Sequence, residues 1–239
     1  MKYVARSGLP SDRGARSRPF IEYVARSGSS SEHGPSSEHV ARSGPYRRYD
    51  VLAKWQSVSF DDLTRDVLRR RLTALPPRRF LTQADWDLLE AIVARLLPQP
   101  HDARPVPITP WIDEMLHANR GEGFRYADMP SMRDAWRHGL AAIDDEACAR
   151  HRRGFTELDN HRQDDALRAV QRGDVDRERW KELPAARFFV HVLLKTVAGI
   201  HYSHPDAWSD IGFGGPASPR GYVRLGFDER DPWEAREES

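Results

Sequence analysis

Apolar residues recur along most of the chain at spacings of three and four, the period that predicts amphipathic helices. Proline- or glycine-containing stretches separate these segments, and no segment shows the strict alternation typical of β-strands. The predicted helices begin near Ser59, Thr82, Thr109, Ser131, Asp164 and Pro184. The pattern therefore predicts an all-α fold, an irregular bundle of about six helices.

Three of the predicted starts rest on capping residues. Ser59 is the expected N-cap of the first helix, Thr82 forms a capping box with Asp85, and Thr109 precedes a proline at the first helical position. Each is followed by apolar residues at helical spacing. In the first helix these residues form one apolar stripe: Leu63, Val67, Leu68, Leu72 and Leu75.

The segment from Pro184 to about His201 is the most apolar of the six. A helix that is apolar on nearly all sides is expected at the centre of a domain. His191 lies within this run, where a hydrogen-bonded core histidine is a better expectation than a ligand. The apolar residues are Phe188, Phe189, Val190, Val192, Leu193, Leu194, Val197 and Ile200.

Composition changes near residue 50. The chain has 239 residues and a net charge of +1, but residues 1–50 carry nine basic and five acidic residues and none of the seven tryptophans. The sequence Tyr-Val-Ala-Arg-Ser-Gly occurs at residues 3–8 and 23–28, and a third copy at 39–44 differs only in its first residue, His39. A disordered, repetitive arm is therefore predicted for residues 1–50. An alternative hypothesis is translated repetitive DNA ahead of a start near Val51.

Two further regions follow the arm. Residues 51–205 are predicted to form the helical domain, and residues 206–239 a glycine- and proline-rich arm. Because the latter also contains aromatic and arginine side chains, it is expected to pack against a surface. A partner and the chain's own helical domain remain equal alternatives for that surface. The candidate partner-binding residues are Phe213, Arg220, Tyr222, Arg224, Phe227 and Trp233.

The chemistry-bearing residues are few. The single cysteine, Cys148, excludes disulfides, four-thiolate zinc sites, iron–sulfur clusters and C-x-x-C-H haem attachment within this chain. Its acidic neighbours are expected to raise the pKa of the thiol. His201, His204 and Asp206 have a spacing that could hold a metal, although helix capping explains these histidines better. No catalytic or cofactor-binding constellation is expected.

The overall charge and hydropathy limit the partners. A net charge near zero argues against a dedicated nucleic-acid binder. No apolar run reaches the roughly 18 residues that a membrane span requires. Gly212, Gly214 and Gly215 do not have the G-x-G-x-x-G spacing of a dinucleotide loop, so phosphate binding is not expected there.

Several segments resemble the gluconate 2-dehydrogenase subunit 3 family. They are residues 86–100, 107–113, 153–159 and 188–205, followed by the Gly-Gly-Pro sequence at 214–216. Their order along the chain extends the resemblance over about residues 60–227. It implies a non-catalytic small subunit that binds, and stabilises or matures, a flavoprotein dehydrogenase of the glucose–methanol–choline (GMC) type.

The resemblance also implies where the cofactors lie. FAD belongs to the large flavoprotein subunit, and in many members a third subunit, a multihaem cytochrome c, holds haem c. Many members carry a twin-arginine export signal, but Arg47-Arg48 is followed by no apolar segment here. The cytoplasm is therefore the expected location, whereas family members are often periplasmic or membrane-associated through partners. The alternative function is an independent helical metalloenzyme that uses the His201, His204 and Asp206 site.

Overall fold

The computed structural model describes residues 45–99, 105–121, 126–216 and 234–237, and these ranges contain eight helices and no strand. One of them, α7, is a composite helix in which three helical segments follow one another without interruption. The helices are α1 Asp62–Thr73, α2 Gln83–Leu96, α3 Ile108–His117, α4 Met132–His151, α5 Asn160–Arg172, α6 Arg177–Trp180, α7 (Ala185–Arg187, Phe188–Leu194 and Lys195–Ser203) and α8 Pro205–Asp210. Short 3₁₀ turns lie at Val51–Lys54 and Phe155–Glu157.

The six helices predicted from periodicity are all present, which confirms the all-α fold. Two further helices, α6 and α8, have only four and six residues. Such short segments span hardly more than one turn, so they cannot display a period of 3.6 residues in the sequence. None of the helices within the described ranges has the length and apolar character needed to cross a membrane.

Local side-chain chemistry determines where several helices begin. The capping box of α2 is confirmed: the Thr82 hydroxyl accepts from the Asp85 N–H at 3.1 Å, and the Asp85 carboxylate accepts from the Thr82 N–H at 3.3 Å. Ser131 caps α4 in the same way through the N–H of Asp134. These caps satisfy donors that the first helical turn would otherwise leave without partners.

Two predicted caps are wrong. Asp61, not Ser59, caps α1, and its carboxylate accepts from the Thr64 N–H at 2.7 Å. A carboxylate is the better cap because it also interacts favourably with the positive end of the helix dipole. Helix α3 begins at Ile108, two residues before the predicted first helical residue Pro110, and has no side-chain cap, so Thr109 lies inside the first turn.

The main core forms around α7, with α2 to α6 packed about it. Phe188 of α7 lies between two tryptophans, and its ring centroid is 6.0 Å from both Trp136 and Trp180. The backbone of α4 approaches this ring so closely that a Cβ built on Gly139 would lie 2.2 Å from Phe188 Cζ. The absence of a side chain at Gly139 therefore sets the spacing between α4 and α7.

The central helix is less deeply buried than its composition predicts. Residues Phe188–Leu194 are wound as a π-helix, and within and beyond it Val190, His191 and Lys195 are exposed. A π turn accommodates more residues than an α turn and so shifts which side chains face the core. The predicted core position of His191 is wrong: its ring lies on the surface, 5.3 Å from that of Tyr126.

A buried carboxylate connects α3 to the loop before α2. Asp113 is fully buried and accepts hydrogen bonds from the backbone N–H groups of Arg79, Phe80 and Leu81 at 2.7, 3.0 and 2.8 Å. Three charge-assisted hydrogen bonds compensate for the removal of the carboxylate from water. They hold residues 79–81 in one position on the surface of the bundle.

We predict that Gly139→Ala destabilises the protein, because its Cβ would overlap the Phe188 ring. Overpacking of this kind costs about 1–3 kcal/mol, measured as the change in the free energy of unfolding in denaturant. Gly199→Ala is the matched control. Gly199 is an exposed position in α7 where an added Cβ would have no other atom within 4 Å, so alanine is expected to stabilise by about 0.5–1 kcal/mol.

The Gly139→Ala effect should shrink in a Phe188→Leu background, since the smaller side chain leaves room for the methyl group. Equal unfolding free energies for Gly139→Ala and wild type would contradict the proposed role of this contact.

Candidate partner-binding surface

A second, smaller core lies outside the main one and is built from three short elements. The turn at Val51–Lys54, helix α1 and helix α8 contribute side chains that contact one another rather than the main core. The Trp55 and Phe60 rings meet edge to face with centroids 6.2 Å apart. The buried members of this second core are Val51, Trp55, Phe60, Leu68, Leu72 and Trp208.

Polar contacts fasten residues 45–60 to residues 205–215. The Val51 N–H donates to the Ser209 hydroxyl at 3.1 Å, and the Lys54 ammonium donates to the Gly214 carbonyl. Burial, together with the charges of Asp50 and Glu234, raises the pKa of Tyr49 to about 12. Tyr49, near the end of the predicted N-terminal arm, packs against the second core.

The glycine-rich segment after α8 reverses the chain against this second core. Gly212 and Gly215 have φ angles of 68° and 77°, a region that L-residues rarely adopt. A Cβ on Gly212 would lie 2.8 Å from the Tyr46 ring, and one on Gly215 would lie 3.2 Å from Phe60 and Trp208. Both glycines thus serve the close approach of the chain to aromatic rings.

His204 joins α8 to α1 through both of its ring nitrogens. The side chain is 2% exposed, and its Nε2 lies 3.0 Å from the Arg71 carbonyl oxygen, which can only accept a hydrogen bond. Nε2 therefore carries the proton, and Nδ1 accepts from the Asp206 N–H at 3.3 Å. His204 therefore caps α8, and both of its ring nitrogens take part in hydrogen bonds within the protein.

The other two members of the predicted metal site do not complete a ligand set. His201 Nδ1 and Asp206 Oδ2 are buried and have no hydrogen-bond partner in the described ranges. The Asp206 carboxylate lies 3.7 Å from His204 Nδ1. Within the described residues, no three His, Cys, Asp or Glu side chains are grouped so that they could hold a metal ion. The geometry therefore lends no support to the metalloenzyme alternative.

Cys148 lies on the exposed side of α4. Partial burial of the sulfur, and then the charges of Asp144, Asp145 and Glu157, raise the pKa of its thiol. The direction agrees with the sequence prediction. A raised pKa keeps the sulfur protonated and reduces its nucleophilicity.

Exposed apolar side chains concentrate around the second core. Of eight large apolar residues exposed in the described ranges, five lie on α1 or in the loops next to the Val51–Lys54 turn and α8. A sixth, Tyr202 of α7, accepts a hydrogen bond from Trp208 through its carbonyl. We call these six the apolar surface: Val58, Leu63, Val67, Tyr202, Ile211 and Phe213. The apolar stripe of α1 is buried only in part: Leu68 and Leu72 are in the second core, whereas Leu63 is 76% exposed.

Phe213 is the one predicted partner-binding residue that the structure describes. It packs edge to face on Trp208, with centroids 5.3 Å apart, and remains 39% exposed. The other predicted residues lie outside the described ranges: Arg220, Tyr222, Arg224, Phe227 and Trp233. Their assignment stays a prediction.

Sequence reasoning missed the part that α1 and residues 51–60 play in this surface. The helical period of α1 predicts an apolar stripe, but a stripe can be wider than the neighbour that covers it. Leu63 and Val67 are four residues apart and lie on the side of α1 away from Leu68 and Leu72. The sequence signal that could have predicted this exposure was the large width of the apolar stripe of α1.

The described residues thus form a helical domain with exposed apolar side chains beside its second core. The family model described as Gluconate 2-dehydrogenase subunit 3 matches residues 83–215, more than half of the chain. The chain belongs to this family, the small subunit of the gluconate 2-dehydrogenase complex. No curated protein and no solved structure matches it.

We predict that His201 makes stability depend on pH. Burial, with a smaller contribution from neighbouring His204, lowers the pKa of His201 below its ordinary value of 6.5. The unfolded chain therefore binds this proton more readily, and the free energy of unfolding should fall as the pH is lowered through 6.5. Unfolding in denaturant between about pH 7.5 and about pH 5.5 measures the slope.

His201→Gln should flatten this slope, whereas His117→Gln, at an exposed position in α3, removes a histidine without altering the buried site. If His201→Gln and His117→Gln retain equal slopes, His201 is not the group responsible.

Proposed function

We propose that this chain is a non-catalytic accessory subunit that binds the FAD-containing large subunit of a sugar or sugar-acid dehydrogenase and stabilises or matures it. Family membership supports a place in a dehydrogenase complex. The resemblance noted in the sequence adds the finer description of the partner, a flavoprotein of the GMC type. FAD, and haem c in a complex with a cytochrome c subunit, are proposed to reside in the partners.

The apolar surface is the observation that carries this proposal. Scattered apolar residues are normal on a protein surface, but a concentration of them marks an interaction site. Leu63 and Val67 lie on α1, and Val58, Ile211 and Phe213 lie in the loops that flank the elements of the second core. Tyr202 lies on α7, and its carbonyl accepts a hydrogen bond from Trp208. Burial of these side chains against a partner would remove apolar area from water and so favour association.

The apolar surface is also preorganised. Phe213 is supported from behind by Trp208, whose indole N–H donates to the Tyr202 carbonyl at 2.8 Å. A side chain that is already ordered loses less conformational entropy when it binds. Aromatic residues in such positions often contribute a large share of binding energy.

We propose that the predicted arm residues beyond Pro216 extend the same surface. Arg220, Tyr222, Arg224, Phe227 and Trp233 are aromatic residues and arginines, the types that are enriched at the centres of protein interfaces.

The test is recovery of the complex from cells that naturally express the chain. A tagged full-length chain should co-purify with a protein whose released cofactor is FAD, identified by its absorption and fluorescence after denaturation. Mass spectrometry of that protein should yield a flavoprotein oxidoreductase sequence. Isolation of the tagged chain without any FAD-containing protein would contradict the proposal.

Two matched double variants test the surface. Ile211→Ser with Phe213→Ser should reduce FAD-protein recovery roughly tenfold or more, because both residues belong to the apolar surface. Tyr126→Ser with Val190→Ser removes the two exposed apolar residues that lie elsewhere and should leave recovery unchanged. Equal losses in both variants would show that the apolar surface has no special role.

A further inference from the structure

The C-terminal half of α1 and the loop that follows it are rich in arginine. Residues 67–84 contain five arginines and no acidic residue. Two of them, Arg78 and Arg79, belong to the loop that Asp113 holds in place, and three more arginines from α4 and from the end of α3 connect with this loop through shared contacts. We call the set the arginine cluster: Arg78, Arg79, Arg120, Arg133 and Arg137.

Phe80 organises the cluster. The guanidinium carbons of Arg137 and Arg133 lie over its ring, 4.4 and 5.5 Å from the centroid. Arg133 also donates to the carbonyls of Leu116 and His117 at the end of α3. Two cations thus lie over one aromatic ring, on a residue whose backbone N–H donates to Asp113.

The positive charge of the cluster is only partly compensated. A single carboxylate, Glu114, is shared by Arg79 and by Arg120, the latter at 3.4 Å. Arg137 lies 3.8 Å from Asp134, and its side chain is 58% exposed. Arg78 donates to the Leu81 carbonyl.

Against five guanidinium groups stand Glu114, Asp134 and the buried Asp113, so the local net charge is +2. This positive site lies in a chain region, residues 51–239, whose net charge is −3.

The two guanidinium groups over Phe80 differ in the donors that they have left. Arg133 already uses Nε and Nη2 on the Leu116 and His117 carbonyls. Arg137 is 58% exposed, and a guanidinium over a ring keeps edge N–H groups that can donate to a carboxylate in pairs. Because the ring already orders Arg133 and Arg137, less side-chain entropy remains to be lost on binding. The cluster is therefore suited to carboxylates presented at defined positions.

We propose that the arginine cluster binds a carboxylate-rich segment of the flavoprotein subunit, which makes it a second contact site beside the apolar surface. The inference rests on the proposed function, since it takes the same protein as its partner. The apolar surface contributes burial, and the arginine cluster contributes orientation and faster association.

Protein carboxylates fit the cluster better than phosphate polymers or anionic lipids. Glu114 and Asp134 lie among the arginines, and they would repel a continuous row of phosphates. Separate carboxylates on a folded partner can be placed opposite single guanidinium groups and avoid these acids. The chain as a whole is also nearly neutral, which disfavours non-specific attraction to polyanions.

The experiment measures affinity for the FAD-containing protein obtained in the co-purification. After separation from the wild-type chain, this protein is titrated with wild type and with R79Q/R120Q/R137Q in about 0.15 M salt. Arg133 is retained because it caps α3. We expect the dissociation constant of the triple variant to be roughly tenfold higher or more, and expect added salt to weaken the wild type more than the variant.

The matched control is R162Q/R168Q/R172Q, which removes the same charge from exposed positions on α5 and should bind like wild type. Far-UV circular dichroism and thermal midpoints establish that both variants fold. If the triple variant does not fold, R137Q alone serves, with an expected smaller loss of affinity. Sedimentation with vesicles of phosphatidylglycerol tests the lipid alternative.

The outcomes separate the two proposals. Wild-type affinity in the folded cluster variant, or equal losses in the cluster and α5 variants, would overturn the arginine-cluster inference and leave the proposed function intact. Loss of vesicle binding with unchanged flavoprotein affinity would also overturn it, in favour of a lipid surface. Failure of the wild-type chain to retain any FAD-containing protein would contradict the proposed function and this inference together.

Discussion

The close approach of α4 and α7 at Gly139 is the constraint on which the rest of the structure depends. With no side chain at this position, the ring of Phe188 reaches the α4 backbone and lies between Trp136 and Trp180. Dense interiors tolerate little change in volume, so this contact determines the position of α7 relative to α4. Since α8 follows α7 after a single residue, His204, the same contact determines where the second core can form.

The second core combines a part of the chain that matches the family with a part that lies outside the match. Helix α8 and Phe213 fall within residues 83–215, whereas α1 and the turn at Val51–Lys54 precede them. Hydrogen bonds from Val51 and through His204 join the two parts. The apolar surface therefore exists only when both parts are present, because neither part alone brings its six residues together.

In the proposed complex, the two surface features have different physical roles. The apolar surface would supply most of the favourable free energy, since burial of apolar area depends little on geometry. The arginine cluster would determine orientation, because paired hydrogen bonds between guanidinium and carboxylate groups depend strongly on it. Both features rest on interior residues: Trp208 supports Phe213, and Asp113 positions the loop that carries Phe80.

Periodicity and capping chemistry by themselves determined the all-α class, the six longer helices and the start of α2 at Thr82, because these depend on neighbours three or four residues away. The resembling segments, in their order along the sequence, likewise sufficed to indicate the family. Tertiary structure alone decided that Leu63 is exposed, that His191 lies on the surface and that two arginines lie over the Phe80 ring. A pattern along the chain reports which side of a helix is apolar, but burial depends on what packs against that side, and such neighbours are distant in sequence.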